Sequence, residues 1–281
     1  MANTFLYGKP VKANILEEVK RTIQFSGYIP KNIIIQVGDD PASNIYVGNK
    51  LNAAIECNIS MEHIKFPVDI EMDQLCKVIT RFNNDNTVDG ILVQLPLPEH
   101  LDERIIADLI DPKKDVDGFG KYSQGGTIDN STLTHRPCTP KGIMSLLDYY
   151  VETVEGKDVV IVGRSNIVGK PLAAMMTNAG ATVTLCHTLT KDIKEKTKSA
   201  DIVVLATGQL KKFNSEYFTN GQLIIDVGIG RDESGKLCGD LDLEDITAKL
   251  DELRIVPSPG GCGQTTVAAL MQNIYNARNM A

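Results

Sequence analysis

Four β-branched apolar residues ending in glycine, Val159-Val160-Ile161-Val162-Gly163, constrain this chain more than any other segment. The run continues Arg164-Ser165-Asn166-Ile167-Val168-Gly169-Lys170-Pro171. Such residues in succession suit a parallel strand covered on both faces. Gly163 permits a backbone conformation, and a closeness to a ligand, that a side chain would hinder. A helix starting near Gly169 would aim free N–H groups and its positive dipole end at the turn, which makes a ready phosphate site. The spacing is Gly163-x5-Gly169, only part of the dinucleotide fingerprint G-x-G-x-x-G. By itself the segment reads either as a dinucleotide site or as a strand, turn and helix with no ligand.

The residues that follow favour the first reading of the fold. Strands at 159–162, 182–186, 202–206 and 223–227 alternate with helices at 169–179 and 190–198. That order predicts a doubly wound parallel sheet of Rossmann type. The earlier half is a second α/β pattern. Apolar positions Val11, Ile15, Leu16, Val19 and Ile23 make a helix over 10–25. A strand at 33–37 leads into a helix that Asp40 caps and Pro41 begins. In that helix Val47, Leu51, Ala54 and Ile55 form the expected core stripe, with Tyr46 and Lys50 on another face. A helix over 71–83 and a strand over 89–94 complete a small parallel sheet. Residues 111–137 read as an irregular functional loop, and Thr139-Pro140 starts a helix into the second half. The last helix carries Val267, Leu270, Met271 and Ile274 on one face and is expected to return to the first domain.

The 281 residues are enough for two domains. The division expected is 1–138 plus 264–281 for a small catalytic α/β domain, and 139–263 for the Rossmann domain, with a cleft between them. A net charge of −7 argues against a general nucleic-acid binder. No apolar run approaches the roughly 20 residues of a membrane span, and the first residues lack a signal-peptide layout. A cytoplasmic location is the expectation. The six cysteines, at 57, 76, 138, 186, 238 and 262, have neither C-x-x-C pairing nor a histidine at metal-ligand spacing. They read as reduced structural thiols, and no metal site is expected.

Several residues carry chemistry, each with a plainer alternative. An NAD enzyme places an acid roughly 20 residues after the glycine turn to hold the ribose 2′-OH. Here the strand ends Cys186-His187-Thr188, with no acid before Asp192, while Arg164 sits in the turn. A guanidinium and a hydroxyl without a carboxylate favour a 2′-phosphate, and so NADP over NAD. Otherwise Arg164 is a solvated surface charge. Tyr46 and Lys50, four apart on a helix that follows a strand end, can meet over one substrate atom. A lysine held out of water can exchange protons near neutrality. Otherwise the two are surface neighbours. Asp117, before Gly118, is either a turn residue or a carboxylate that receives the N–H groups of a heterocycle. Gln94 ends a strand where active sites gather, with an amide that both donates and accepts. Asp226-Val227-Gly228-Ile229-Gly230 ends a Rossmann strand with glycines that let a flat ring approach. The Pro257–Gly263 loop reads as a wall, stiffened by two prolines and bent at three glycines.

Taken together these segments resemble the bifunctional methylenetetrahydrofolate dehydrogenase/methenyltetrahydrofolate cyclohydrolase family. The matching stretches are Val37–Ser43 with Tyr46-Val-x-x-Lys50, Asp89–Pro98, Asp111–Phe119, Pro137–Gly142, Gly163–Pro171, Asp226–Ile229, Gly239-Asp240 and Pro259–Gly261. They span nearly the whole chain in the family's order. The resemblance implies hydride transfer from 5,10-methylenetetrahydrofolate to NADP, then hydrolysis of 5,10-methenyltetrahydrofolate to 10-formyltetrahydrofolate. It implies Lys50 as the key catalytic residue, Tyr46 orienting it or stacking on the folate, Gln94 tuning Lys50 and Asp117 anchoring the pterin. Gly163, Arg164, Ser165, Thr188 and Ile229 match the cofactor contacts. Pro259, Gly260 and Gly261 match the substrate-side loop, and a homodimer is the expected state. Tetrahydrofolate derivatives are the expected partners.

Departures from the family pattern are local. Gly120-Lys-Tyr-Ser123 replaces the usual His-Pro-x-Asn, Gly230 replaces Asn, and Gln264 stands where a proline would set a helix start. They motivate an alternative, a dehydrogenase with weak or absent cyclohydrolase activity. A nucleotide-binding regulatory protein without turnover is the non-enzymatic alternative, against which the intact Tyr46, Lys50, Gln94 and Asp117 argue.

Overall fold

A computed structural model of the chain describes residues 2–278. In chain order the elements are β1 (Thr4–Phe5), α1 (Gly8–Ser26), β2 (Lys31–Val37), α2 (Pro41–Cys57), β3 (Ser60–Phe66), α3 (Met72–Asn83), β4 (Gly90–Val93), α4 (Glu103–Leu109) and α5 (Lys121–Ile128). There follow α6 (Cys138–Tyr149), β5 (Asp158–Val162), α7 (Gly169–Asn178), β6 (Thr182–Cys186), α8 (Ile193–Ser199), β7 (Ile202–Leu205) and β8 (Leu223–Asp226). The last are β9 (Gly230–Arg231), β10 (Leu237–Cys238), α9 (Leu243–Lys249), β11 (Arg254–Val256) and α10 (Cys262–Ala277). Two compact units result. One joins the residues up to Lys12 with Thr139–Thr266, the other joins Ala13–Cys138 with the residues from Val267 on.

The second unit is built on a three-stranded parallel sheet in the order β3-β2-β4. β2 is central and buried along Asn32–Val37, as its Ile33-Ile34-Ile35 run requires. β3 was not expected. Its Ser-Met-Glu-His-Ile-Lys-Phe sequence is half polar because it lies at the sheet edge, yet it pairs in register with the whole of β2. α3 lays Leu75, Ile79 and Phe82 onto a core with Ile33, Ile35, Ile91 and Val93. Its C-terminal end is closed by Lys114, whose Nζ donates to the carbonyls of Phe82, Asn83 and Asp85 at 2.8–2.9 Å. The stretch 111–137, expected to be irregular, contains the short helix α5, whose glycine pair Gly125-Gly126 hid it.

α2 corrects its own expected stripe. Ser43, Val47, Lys50, Ala54 and Cys57 are buried at three- and four-residue spacing, and Ile55, one position round the helix, is 76% exposed. Lys50 therefore lies within the buried seam. The cap is as expected, with Asp40 accepting from Ser43 N at 2.7 Å and Pro41 opening the helix.

The first unit is a six-stranded sheet in the order β1-β11-β8-β7-β5-β6, parallel throughout. The strand order turns back at β5, which has β6 on one side and β7 on the other. The N-terminal residues differ from the expected division. Thr4 and Phe5 pair with Arg254 and Ile255, which adds β1 as an edge strand to this sheet, and Phe5 packs against its core. The residues from Val267 on group with the three-stranded unit, where Asn273 Nδ2 donates to the carbonyls of Val116 and Arg136 at 2.8 and 2.9 Å.

Candidate active site

Open α/β sheets bind ligands outside the carboxyl ends of their strands. In the three-stranded unit those ends carry Lys50 and Gln94 into contact. α2 leaves the end of β2, and Gln94 follows the last residue of β4. Lys50 Nζ donates to Gln94 Oε1 at 2.9 Å. Gln94 Nε2 donates to the Leu95 carbonyl at 2.6 Å, and its backbone N–H to Ile35 O at 2.8 Å. The amide is thus oriented on both sides, with its oxygen aimed at the lysine. Lys50 is 9% and Gln94 8% exposed. A lysine this sheltered with one polar anchor keeps further N–H positions for a substrate. Tyr46 lies one turn before Lys50, half-buried, and burial pushes its phenol above the usual value, so it stays neutral.

Asp117 stands in a loop tied to the same sheet. Ile91 N donates to Lys114 O at 2.8 Å, and Ile91 pairs with Asp115 as a parallel bridge beside β4. Asp115, two residues before Asp117, is the carboxylate that organises the loop. It is 2% exposed and accepts from Gly118 N, Phe119 N, Gly120 N and Ser123 Oγ at 3.1, 3.2, 2.9 and 2.6 Å. Burial pushes its carboxyl up, and the bonds from Ser123, Gly120 and Phe119 work against that rise. Asp117 itself is half-buried, and its carboxylate has no hydrogen-bond partner among the described residues. Sequence reasoning singled out Asp117 and missed Asp115. Both belong to the same Asp-Val-Asp-Gly run, and only the folded loop tells the structural acid from the open one.

In the six-stranded unit the glycine turn sits where the strand order reverses. Gly163 has φ +128°, and a Cβ there would stand 2.2 Å from Ala206 O, at the end of β7. A Cβ on Gly169 would meet Gly163 O at 1.9 Å. The two glycines let α7 begin against the turn itself. Ser165 Oγ accepts from Val168 N at 3.1 Å and Gly169 N at 3.4 Å and so closes the approach to the helix. Arg164 is exposed and makes no ion pair among the described residues. Gly163 N donates to Cys186 O at 2.9 Å, which sets the end of β6 beside the turn. There His187–Thr190 fold into a closed turn, with Thr190 Oγ1 accepting from His187 N, and Thr188 is exposed. Asp192 is the N-cap residue of α8.

The remaining residues of this unit fall at the adjoining strand ends. Ile229 is 44% exposed just past β8. Behind it Asp240 accepts from Thr207 N, Thr207 Oγ1 and Gly208 N at 2.7, 2.9 and 3.1 Å, fixing the loop after β7. Gly228 packs against the same carboxylate, since a Cβ there would lie 2.3 Å from it. Asp226 accepts from Asp240 N and Leu241 N at 3.0 and 3.1 Å, and burial raises its pKa to about 7. Gly230 begins a two-stranded hairpin, where a Cβ would press on Leu210 at 2.9 Å. Pro259, Gly260 and Gly261 form the loop between β11 and α10. It is held by Gly8 N, which donates to Gly260 O at 2.8 Å, and by the Tyr7 ring packed on Gly260. The helix after it starts at Cys262, and Gln264 N donates to Gly261 O at 3.1 Å, a bond a proline would lack.

A Rossmann unit with a glycine turn open to phosphate, and a smaller α/β unit with a sheltered lysine on an oriented amide, define a dinucleotide-dependent enzyme of two domains. Comparison with known proteins narrows the class. Residues 6–117 match the catalytic domain of tetrahydrofolate dehydrogenase/cyclohydrolase, and residues 137–281 match its NAD(P)-binding domain. The chain belongs to the tetrahydrofolate dehydrogenase/cyclohydrolase family. It is 43% identical over 275 residues to the bifunctional protein FolD of Lachnoclostridium phytofermentans, a match that covers 96% of each chain. It is similar to the crystal structure of the FolD dehydrogenase/cyclohydrolase from Campylobacter jejuni, with a TM-score of 0.95, 42% identity and full coverage of both chains. The Trypanosoma brucei enzyme, solved with NADP cofactor and inhibitor, matches with a TM-score of 0.92 and 30% identity, covering 99% of this chain and 98% of that one.

Proposed function

We propose that this chain oxidises 5,10-methylenetetrahydrofolate to 5,10-methenyltetrahydrofolate with NADP and hydrolyses the product to 10-formyltetrahydrofolate. The observation that carries the reading is the 2.9 Å bond from Lys50 to Gln94, within the part of the chain that matches the family's catalytic domain. Gln94 fixes one Nζ–H and leaves the rest of the amine for the substrate. The methenyl carbon is already electrophilic, so hydrolysis asks for a positioned water and a proton transfer. Lys50 moves that proton, Tyr46 orients the lysine or stacks on the folate, and Asp117 accepts N–H groups of the pterin.

The six-stranded unit suits NADP. Gly163 leaves a cradle that a Cβ would fill, Arg164 is exposed without an ion pair among the described residues, and no acid stands at the end of β6. Gly163, Arg164, Ser165, Thr188 and Ile229 would hold it, with Arg164 and Thr188 toward the 2′-phosphate. When bound it supplies the hydride acceptor. In this reading residues 139–263 form the cofactor domain, and Pro259, Gly260 and Gly261, in the last loop of that stretch, contribute to folate binding. The working form is a homodimer in the cytoplasm, as the sequence resemblance implies, and light scattering of the purified protein checks the first of these.

The test is absorbance with 5,10-methylenetetrahydrofolate, once with NADP and once with NAD. NADPH formation followed by loss of the methenyl signal, faster than spontaneous hydrolysis, supports both activities and the cofactor. Methenyl-folate that accumulates without enzyme-dependent decay would leave a dehydrogenase alone. No reduction with either nucleotide would overturn the proposal.

A further inference from the structure

We infer that Asp115 is a positioning residue for the substrate, which holds Asp117 in place by gathering the backbone of Gly118, Phe119 and Gly120 and the Ser123 hydroxyl around its buried carboxylate. The inference rests on the reading of Asp117 as the pterin anchor and adds the means by which that anchor is set.

The backbone on both sides of Asp117 is fixed, while its own side chain is not. On the N-terminal side, Ile91 N bonds Lys114 O at 2.8 Å and Ile91 pairs with Asp115, so the loop runs in register with β4, the strand that ends at Gln94. Val116 is fully buried, and its carbonyl accepts from Asn273 Nδ2 at 2.8 Å. On the C-terminal side, Gly118 takes φ +74° and packs so closely on Arg136 and Pro137 that a Cβ would stand 2.6 Å from Pro137 N. Three successive N–H groups and one hydroxyl then converge on Asp115, which fills the acceptor sites of a carboxylate. Between these ties the Asp117 carboxylate has no partner among the described residues. A ligand group held on a backbone already ordered loses little freedom when it binds.

One of the chain's departures from the usual loop enters these contacts through its side chain, the Ser123 hydroxyl, whereas Gly120 contributes only a backbone N–H that any residue but proline carries. Gly120 and Ser123, which stand where His and Asn are usual, are both donors to Asp115. Ser123 is fully buried, so its hydroxyl serves this carboxylate and not solvent. The 120–123 segment is thereby a local solution to holding Asp117, and it leaves Lys50 and Gln94 untouched.

The experiment is a double-mutant cycle between Ser123→Ala and Asp117→Ala in the full chain, read as KM for 5,10-methylenetetrahydrofolate, kcat and the Kd for NADP. Ser123→Ala is expected to raise the folate KM by about three- to tenfold with NADP affinity unchanged, and to add less than about twofold in the Asp117→Ala background. Ser123→Cys, with a weaker donor of similar size, should fall between wild type and Ser123→Ala and serves if the alanine variant does not fold. Equal multiplication of KM in both backgrounds, or equal loss of NADP affinity, would mean a general structural role and overturn the inference. If Asp117→Ala raises the folate KM and Ser123→Ala does not, the inference alone falls. An Asp117→Ala variant with wild-type KM removes the pterin-anchor reading and the inference with it.

Discussion

Lys50 on α2 and Gln94 at the end of β4 are 44 residues apart in sequence and meet through a 2.9 Å hydrogen bond at the carboxyl end of one small sheet. The bond is possible because Lys50 falls in the buried seam of its helix, between Val47 and Ala54, rather than on the solvent side. It is anchored because Gln94 spends its amide nitrogen on the Leu95 carbonyl. Each partner is therefore set by the sheet before a substrate arrives.

Lys50→Ala is expected to lower cyclohydrolase turnover by about 10²–10⁴-fold, the usual worth of a positioned proton donor or acceptor. NADP affinity should stay at the wild-type value, because the glycine turn belongs to the other unit. Stopped-flow decay of methenyl-folate and a fluorescence titration with NADP measure the two. Hydrolysis at the wild-type rate would show that Lys50 is not the proton-transfer group.

Arg164→Ala separates the two dinucleotides. The guanidinium is exposed in the turn, and no acid stands at the end of β6 to hold a free ribose hydroxyl. Losing a charge-assisted bond to a phosphate should weaken NADP by roughly 10- to 100-fold. NAD, which has no 2′-phosphate, should weaken by less than about twofold, as the same bond is absent. Equal losses for both would refute the 2′-phosphate role.

What was legible in the sequence was whatever depends on runs and spacing. Val159–Val162, Ile202–Leu205 and Leu223–Asp226 are buried at every residue, and their apolar runs announce it. The Asp40 cap and the Gly163 turn carry their own local chemistry. β3 escaped because an edge strand does not need apolar residues on both faces. β1 and β11 escaped because two or three residues have no period, and their pairing joins positions 250 apart. Within the site, Lys50 and Asp117 were found by residue type and by resemblance to a family. Asp115 and Asp240 were not given roles, since what distinguishes them is a set of backbone donors brought together only by folding.

Gly163→Ala should destabilise the protein by about 2–6 kcal/mol, from backbone strain at positive φ together with overpacking. The added Cβ would stand 2.2 Å from a backbone oxygen, Ala206 O, which cannot swing aside as a side-chain end could. Gly125→Ala is the control. Gly125 lies in α5 with nothing within 4 Å of a Cβ, so the substitution should stabilise by about 0.5–1 kcal/mol. Urea denaturation of the two variants decides. A Gly163→Ala variant as stable as wild type would mean that the turn relaxes and that the glycine is not required there.

The last expectation concerns pH. Burial raises the Asp226 carboxyl to about 7 from the ordinary 3.8, so the folded state holds its proton long after the unfolded chain has released it. The sign follows from that difference. Below pH 3.8 both states are protonated and the stabilisation is complete. As pH rises toward 7 the unfolded state gains by ionising, and stability falls by up to about 1.4 kcal/mol per pH unit. Above about 7 the native carboxyl ionises as well, and the loss levels off. Asp226→Asn does not titrate; its one oxygen keeps an acceptor for either Asp240 N or Leu241 N and its amide nitrogen faces the other, a cost that is the same at every pH and cancels in the comparison across pH. The stability of wild type relative to Asp226→Asn should therefore drop by about 2–3 kcal/mol between pH 5 and pH 8. Urea unfolding of both proteins across that range measures the difference. A constant gap would mean that Asp226 is ionised in the native state throughout, with the backbone donors Leu241, Asp240 and Gly228 outweighing burial.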